Sequence, residues 1–370
     1  MKLIAQVKLV INSSQKETLL NTMEIANIAC NDISKIAWET KTFQQFSLHK
    51  KSYRHIREKY PLSAQVVVRC ISKVANAYKT GRIKMRTFKH HGAITYDPRI
   101  LRWYKNDVSI WTTNERQKMN FLAGEYQKNL LHYQKGESDL CFIDGEFYLF
   151  ATCEVEEVDQ LKATGWLGVD LGIKNIATDS DGNQYSGGHL NNLRKRHEKI
   201  RRKLQSKGTK SAKRLLKKSN RKEARISKDT NHCIAKRLVL LAQDTLRGIS
   251  LEKLTGIRGR VTVRRSQRRA HHSWAFDDLA QKILYKAKLV GVPVIFVDPR
   301  NTSKECNHCG HIEKANRKTQ SDFLCMSCGF SANADCNAAI NIGRRAFVNT
   351  PYAATNKVVS CNLTDLSVSY

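Results

Sequence analysis

Hydrophobic residues occupy alternate positions near the start of the chain, which predicts a β-strand over residues 2–11. The apolar spacing then changes to steps of four and three, which predicts a long amphipathic helix. Ser14 and Glu17 have the spacing of a capping box and would begin that helix. The residues predicted to face inward are Leu19, Met23, Ala26, Cys30, Ile33 and Ala37.

Two more helices are predicted before residue 83. One ends at Tyr60, because Pro61 does not continue a helix. The next begins after Ser63, a residue type that caps helix N-termini, and ends before Gly81. Residues 14–82 are therefore predicted to be a helical insertion.

The pattern changes again after Ile83, to short aromatic and β-branched runs separated by turn residues. The clearest pair flanks Asp144-Gly145, a dipeptide that favours the type I′ turn of a β-hairpin. These residues are predicted to form a small β-barrel or sheet that the first strand joins. Sheets of this kind often bind nucleic acid, and a purely structural β-domain fits the same residues.

A short apolar run from Gly165 ends on Asp170, which predicts a buried strand that delivers one carboxylate at its end. A carboxylate in such a place needs a cation or another positive partner, so Asp170 is a candidate metal ligand. The same pattern occurs in actin-like ATPases, and an aspartate at a strand end is often a turn former. Further along, Asp181-Gly182 predicts another hairpin.

A second apolar strand, residues 249–252, ends on Glu252. A basic loop at 258–272, a helix capped near Ser273 and a strand at 292–297 are predicted to follow it. Strand, long helix and strand in alternation are typical of an α/β sheet.

The charge of the chain indicates its partners. Its 370 residues include 64 Lys and Arg against 33 Asp and Glu, a net charge of +31, which is typical of a protein that binds a phosphate backbone. Residues 194–228 carry 17 basic residues against two Glu, with a narrow apolar stripe, as expected of basic helices. A solvated face is the ordinary interpretation of a charge run, but this imbalance favours contact with phosphates.

Four of the eleven cysteines form two Cys-x-x-Cys pairs, Cys306 with Cys309 and Cys325 with Cys328. Each pair can fold as a tight knuckle, and four thiolates complete a closed tetrahedral site, which predicts structural rather than catalytic zinc. Rubredoxin-like iron is the minor alternative. Such a zinc site can be purely architectural or can contact nucleic acid.

Asp335 stands near the start of a predicted helix, where the helix dipole favours a negative charge, so capping is one explanation of it. Asp170, Glu252 and Asp335 thus all stand at the ends of predicted elements. Residues 347–370 lack glycine and show no periodicity, which predicts a poorly ordered tail.

Taken in order, these motifs resemble those of TnpB proteins, which are transposon-encoded, RNA-guided DNA nucleases related to the small type V CRISPR effectors. The matching motifs are Gly-Val-Asp-Leu-Gly, Ile-Ser-Leu-Glu-Lys-Leu, the two cysteine pairs and Ala-Asp-Cys-Asn-Ala-Ala-Ile-Asn-Ile, together with Asp-Pro-Arg-Asn-Thr-Ser at 298–303. The resemblance runs to about residue 345 and is more specific in the C-terminal half. Lys253 and Asn307 depart from the family pattern without removing a ligand.

The resemblance implies an α/β, RNase H-like (RuvC) nuclease domain with a zinc-ribbon insertion, together with an N-terminal wedge-like β-barrel interrupted by a helical recognition insertion. The expected bounds are 1–13 and 83–160 for the β-barrel, 14–82 for the recognition insertion, 161–302 and 332–346 for the nuclease domain, 303–331 for the zinc-binding insertion and 347–370 for the tail.

The resemblance also implies that Asp170, Glu252 and Asp335 are catalytic carboxylates that hold two Mg²⁺ ions for phosphodiester hydrolysis. The expected partners are a guide RNA and a double-stranded target DNA with a short adjacent motif. No signal-peptide pattern or 18-residue apolar run is present, so an intracellular protein that does not span a membrane is expected. The resemblance further implies a prokaryotic, cytoplasmic and nucleoid-associated protein. The alternative is a catalytically inactive RNA-guided or zinc-dependent DNA-binding protein, such as a repressor or a transposition regulator.

Overall fold

The computed structural model describes residues 1–254 and 276–349, which fall into two compact units divided after Glu156. The first unit contains seven strands and four helices. Its strands are β1 (Lys2–Val10), β2 (Ile94–Tyr96), β3 (Leu101–Trp103), β4 (Asp107–Trp111), β5 (Arg116–Leu122), β6 (Gln134–Ile143) and β7 (Glu146–Glu154). Its helices are α1 (Ser13–Glu39), α2 (Gln45–Lys59), α3 (Ala64–Lys79) and α4 (Glu125–Leu131).

The seven strands form one antiparallel sheet in the order β2-β6-β7-β1-β5-β4-β3. Strand β1 pairs with both β5 and β7, so the prediction that the first strand joins the later sheet is confirmed. The hairpin between β6 and β7 is confirmed too, because Asp144 and Gly145 both have positive φ angles, 57° and 89°, as a type I′ turn requires. Helix α4 has no counterpart in the sequence prediction.

The core of the first unit lies between the sheet and helices α1 and α3. The residues of α1 that were predicted to face inward are all buried.

The capping box of α1 was predicted at the wrong residues. Asn12 caps the helix, its side chain accepts from the amide of Gln15 at 2.8 Å, and the Gln15 side chain accepts from the Asn12 amide at 3.1 Å. The box lies two residues earlier than Ser14 because Asn and Gln can fill its two positions as well as Ser and Glu.

The second unit contains a five-stranded sheet with helices. Its strands are β8 (Gly165–Asp170), β9 (Asn175–Asp179), β10 (Gln184–Ser186), β11 (Arg247–Glu252) and β12 (Val294–Val297), and a separate hairpin consists of β13 (Asp322–Leu324) and β14 (Ser331–Asn333). Its helices are α5 (Gly188–Lys207), α6 (Lys210–Asp244), α7 (Phe276–Leu289) and α8 (Ala334–Asn349).

The sheet order is β10-β9-β8-β11-β12, and β11 runs parallel to both β8 and β12. Helix α6 precedes β11, helix α7 precedes β12, and both pack with the sheet around one apolar core, which confirms the predicted α/β alternation. The hairpin of β9 and β10 is confirmed as well.

Helix α8 packs directly against β8 because Gly168 has no side chain. A Cβ atom on Gly168 would lie 1.9 Å from the carbonyl oxygen of Ala339 and 2.4 Å from the amide nitrogen of Gly343. Gly343 makes the matching approach from the helix, where its own Cβ would lie 3.2 Å from the Gly168 amide nitrogen. This pair of glycines brings the start of α8 close to the end of β8.

Two predictions fall partly or wholly beyond the described residues. The basic loop at 258–272 and the Ser273 cap lie outside them, as do residues 350–370 of the predicted tail. The tail was predicted to begin at residue 347, but α8 continues through Asn349.

Candidate active site and cysteine cluster

Asp170 and Glu252 end neighbouring parallel strands. Strand β8 is buried until it reaches Asp170, and β11 is buried from Gly248 to Leu251, directly before Glu252. Leu251 pairs with Val169, so the following residue of each strand, a carboxylate in both cases, leaves the sheet at the same edge. Register alone therefore brings these two acidic side chains together.

Asp335 reaches the same place from helix α8. Its two carboxylate oxygens accept from different donors. Oδ2 accepts from the side-chain amide of Asn175 at 3.2 Å, and Oδ1 accepts from the Arg317 guanidinium at 3.2 Å. The capping of α8 is done by Asn333, whose side chain accepts from the amides of Asp335 and Cys336. Asp335 is therefore not the capping residue, and its carboxylate faces the other acidic side chains.

The charges of Glu252 and Asp335 both act on Asp170. Burial is the largest effect and raises the pKa of Asp170 to about 8, with further contributions from the charges of Glu252 and Asp335. Arg317 acts in the opposite direction. Burial also raises the pKa of Glu252, against a hydrogen bond from Thr302 and the charge of Arg345. A group of partly buried carboxylates that repel one another favours a bound cation.

Sequence reasoning missed three residues around these carboxylates. Asn175 and Arg317 contact Asp335, and the Thr302 hydroxyl donates to Glu252. Thr302 lies within the 298–303 motif, which could have identified it. Arg317 stands in a basic stretch between the cysteine pairs, and no pattern separates it from its neighbours.

The four cysteines form a compact cluster. The Sγ atoms of Cys306 and Cys328 lie 3.8 Å apart, and those of Cys309 and Cys325 lie 3.5 Å apart. A tetrahedron with zinc–sulfur bonds of about 2.3 Å places its sulfurs about 3.8 Å apart, so the cluster fits a zinc ion. Within residues 1–254 and 276–349, this is the one group of three or more His, Cys, Asp or Glu ligand atoms gathered within 4.8 Å of one another, and the carboxylates are grouped more loosely.

Two glycines allow the knuckles to turn. Gly310 and Gly329 have φ angles of 77° and 71°, and their amides donate to the carbonyls of Cys306 and Cys325 at 2.9 and 3.0 Å. Buried Asn316 joins the two knuckles, since it donates to the His311 carbonyl and accepts from the Met326 amide. Hydrogen bonds within the protein therefore connect the two knuckles to each other.

The basic run is helical, as predicted, and lies in the later part of α5 and the first half of α6. Glu223 lies between the two helices, with Arg194, His197 and Arg201 within 3.6, 3.5 and 3.9 Å of its carboxylate. The negative charge of Glu223 is thus paired between the two helices, and the exposed surface of the helix pair is strongly basic.

Among the described residues, no helix has the length and apolar character to cross a bilayer.

Comparison with known proteins identifies the family of this chain. Residues 150–258 match a family model described as a probable transposase, and residues 276–342 match the Cas12f1-like TNB domain. A TnpB-like protein of Methanocaldococcus jannaschii is 33% identical over 191 residues, which cover 48% of this chain and 68% of the relative. The chain belongs to the TnpB family.

Cas12f proteins are further relatives of this TnpB-family chain. The CRISPR-associated endodeoxyribonuclease Cas12f1 of Sulfoacidibacillus thermotolerans is 42% identical over 114 residues, 30% of this chain and 26% of the relative. The match thus spans about a quarter of that longer protein. A structure of Cas12f1 with sgRNA and target DNA aligns with a TM-score of 0.65 over 90% of this chain and 83% of that one, and at 17% identity the likeness concerns the fold.

Proposed function

We propose that this TnpB-family chain is an RNA-guided DNA endonuclease of a transposable element, which hydrolyses phosphodiester bonds in DNA that matches its guide. The observation that supports this proposal most strongly is the meeting of Asp170, Glu252 and Asp335, from two parallel strands and a helix, in one partly buried group. The relatives named for endonuclease activity, and the fold shared with a complex of sgRNA and target DNA, support it further.

The three carboxylates are the proposed ligands of two Mg²⁺ ions. Carboxylate oxygens are the ligands that this ion prefers, and their mutual repulsion favours its binding. Bound at such a site, magnesium supplies Lewis-acid stabilisation of the charge that develops on a phosphodiester and activates a water nucleophile. Asn175 and Arg317 hold the two oxygens of Asp335 in place, and Thr302 holds Glu252.

The proposed organisation places these residues in a RuvC-like, RNase H-fold domain. The mixed sheet of the second unit, with α8 packed on β8, suits that assignment. The zinc-binding insertion would close the four thiolates around one structural zinc. The sheet and helices of the first unit would be the wedge and recognition parts, which contact the guide RNA and the short DNA motif.

Plasmid cleavage tests the proposal. Protein purified with its RNA should cut a guide-matched plasmid when Mg²⁺ is present, and Asp170→Ala should abolish cutting while target binding persists, because a two-metal site depends on every ligand. Asp159→Ala is the matched control, since Asp159 is an exposed carboxylate of the same unit.

The alternative function is that of a DNA-binding regulator that does not cut. It predicts tight binding of the matched plasmid with no strand scission at any Mg²⁺ concentration. Cleavage by Asp170→Ala at the rate of the unsubstituted protein would show that the nuclease centre lies elsewhere.

A further inference from the structure

A row of side chains on α8 holds one loop of the second unit. Asn337, Asn341 and Arg345 follow one another at intervals of four residues, so they lie along one face of the helix. All three bond to residues 298–307, which lead from the end of β12 to the first cysteine pair. The helix that begins beside Asp335 therefore also fixes this loop.

The two asparagines are buried, and their hydrogen bonds are made to the backbone of the loop. Asn341 donates to the carbonyls of Thr302 and Glu305 at 3.0 and 2.8 Å. Asn337 donates to the same Glu305 carbonyl at 2.8 Å and accepts from the Asn307 amide at 3.0 Å. Buried backbone amides and carbonyls need hydrogen-bond partners, and no strand within the described residues pairs with this loop to supply them. The two asparagine side chains supply those partners instead.

Thr302 is the point where this loop meets the carboxylate group. Its side chain is buried, with 3% of the residue exposed, and its hydroxyl donates to Oε1 of Glu252. The Pro299 carbonyl lies 3.1 Å from the same hydroxyl, but a carboxylate is the stronger acceptor for its single proton. Glu252 is thereby attached to the loop, and Asn341 attaches the loop to α8.

We propose that Thr302 is a positioning residue for Glu252, and that Asn341 fixes Thr302 to the helix that carries Asp335. This inference rests on the proposed function, because it concerns Glu252 as a metal ligand. It gives the 298–303 motif a physical role, since the motif supplies the donor that orients one carboxylate. It also links the two metal sites, because Cys306 lies four residues beyond Thr302 on the loop that the asparagines hold.

Loss of the Thr302 hydroxyl has different effects if the hydroxyl positions Glu252 and if it only stabilises the loop. A structural hydroxyl would stabilise the loop whether or not Glu252 bound a metal. A positioning hydroxyl determines where the Glu252 oxygens lie, and partners of this kind typically affect metal affinity by about 10- to 100-fold.

Manganese binding separates the two roles. Mn²⁺ bound by zinc-loaded protein without nucleic acid can be counted by electron paramagnetic resonance. Thr302→Val, which keeps the shape and removes the donor, should weaken Mn²⁺ binding about tenfold or more, and Thr302→Ser, which keeps the donor, should bind as the unsubstituted protein does. The Mg²⁺ concentration for half-maximal cleavage should rise in Thr302→Val and not in Thr302→Ser.

Zinc content and thermal midpoint establish that the variants are folded, and Thr302→Ala removes the same hydroxyl with less bulk if the valine disturbs packing. Unchanged Mn²⁺ affinity in folded Thr302→Val or Thr302→Ala overturns the inference, as does equal damage in Thr302→Ser. The proposed function fails separately, if the unsubstituted protein has no Mn²⁺ site that Asp170→Ala removes.

Discussion

Asp170 is held in a position where its negative charge is unfavourable without a cation. Burial is the main cause, and the charges of Glu252 and Asp335 add to it, so the pKa of Asp170 rises to about 8. In an unfolded chain an aspartate has a pKa of about 3.9. Between these values the folded protein binds more protons at this residue than the unfolded chain does. The free energy of unfolding of the protein without Mg²⁺ therefore falls as pH rises from about 4 to about 8.

Asp170→Asn should remove this pH dependence, because the amide stays neutral. Without Mg²⁺ and with zinc retained, we expect the thermal midpoint of the variant to exceed that of the unsubstituted protein at both pH 5 and pH 8, by several degrees more at pH 8, given about 2–4 °C for each kcal/mol in domains of 150–250 residues. Thermal unfolding at the two pH values measures the difference. Asp159→Asn is the control, and an equal gain in that variant would exclude the carboxylate group as the cause.

The sequence predicted the three carboxylates but not the residues that hold them. Asp170 and Glu252 each end an apolar run, and Asp335 stands near the start of a periodic helix, so strand and helix patterns make all three visible. Asn175, Thr302 and Arg317 act across long separations in sequence, and their roles follow only from the pairing of β8 with β11 and the docking of α8. Periodicity carries no information about such contacts.

At the scale of elements, the contact of α8 with β8 should determine whether the site forms. Gly168→Ala would place a Cβ against backbone atoms of Ala339 and Gly343, which cannot move aside as a flexible side chain can. We expect a loss of roughly 1–3 kcal/mol or more in the free energy of unfolding, measured by denaturant titration, together with loss of cleavage.

Gly165→Ala is the matched control for this substitution. Gly165 lies on the same strand, and its Cβ would meet Arg247 and Phe347 side-chain atoms only at ordinary distances, 3.7 Å or more. Comparable destabilisation by both alanines would mean that the close approach of α8 is not what Gly168 provides.

The cysteine cluster yields a second prediction at this scale. Elemental analysis should find about one zinc per chain, because the four thiolates fit a closed site. Cys325→Ser should lower zinc content and reduce cleavage, since Cys306 and Thr302 share the loop held by α8. Cys233→Ser, at an exposed cysteine of α6, should change neither quantity. Active protein that contains no zinc would contradict this account.

Element boundaries were predictable where a capping or turn residue was unambiguous. Ser63 caps α3 and Asp144-Gly145 closes a hairpin, as their residue types indicate. The start of α1 was wrong because two overlapping capping boxes fit the same stretch, and only the end of β1 decides between them. Helix α4 is short and carries no long apolar periodicity, so its sequence gave no helical pattern to detect.

At the scale of the whole molecule, the net charge of +31 should make binding of nucleic acid strongly dependent on salt. Lys210, Lys213 and Lys217 are exposed on α6. Replacing all three with glutamine should reduce the slope of log affinity against log salt by about 0.7–0.9 for each lysine that contacts a phosphate. The triple arginine variant keeps the charge and should keep the slope. Equal slopes for glutamine and arginine variants would show that these lysines make no phosphate contact.

The central claim is that base pairing with a guide RNA, rather than the protein, selects the DNA. Phosphate contacts position a nucleic acid without reading its sequence, and RNA-guided effectors leave that reading to the guide. The most direct test is to exchange the guide segment of the RNA and measure cleavage of two plasmids that differ only in the matching target. We expect cutting to move completely to the newly matched plasmid, with Asp170→Ala cutting neither. Cleavage of the original plasmid at an unchanged rate after the exchange, or by protein freed of RNA, would contradict the account.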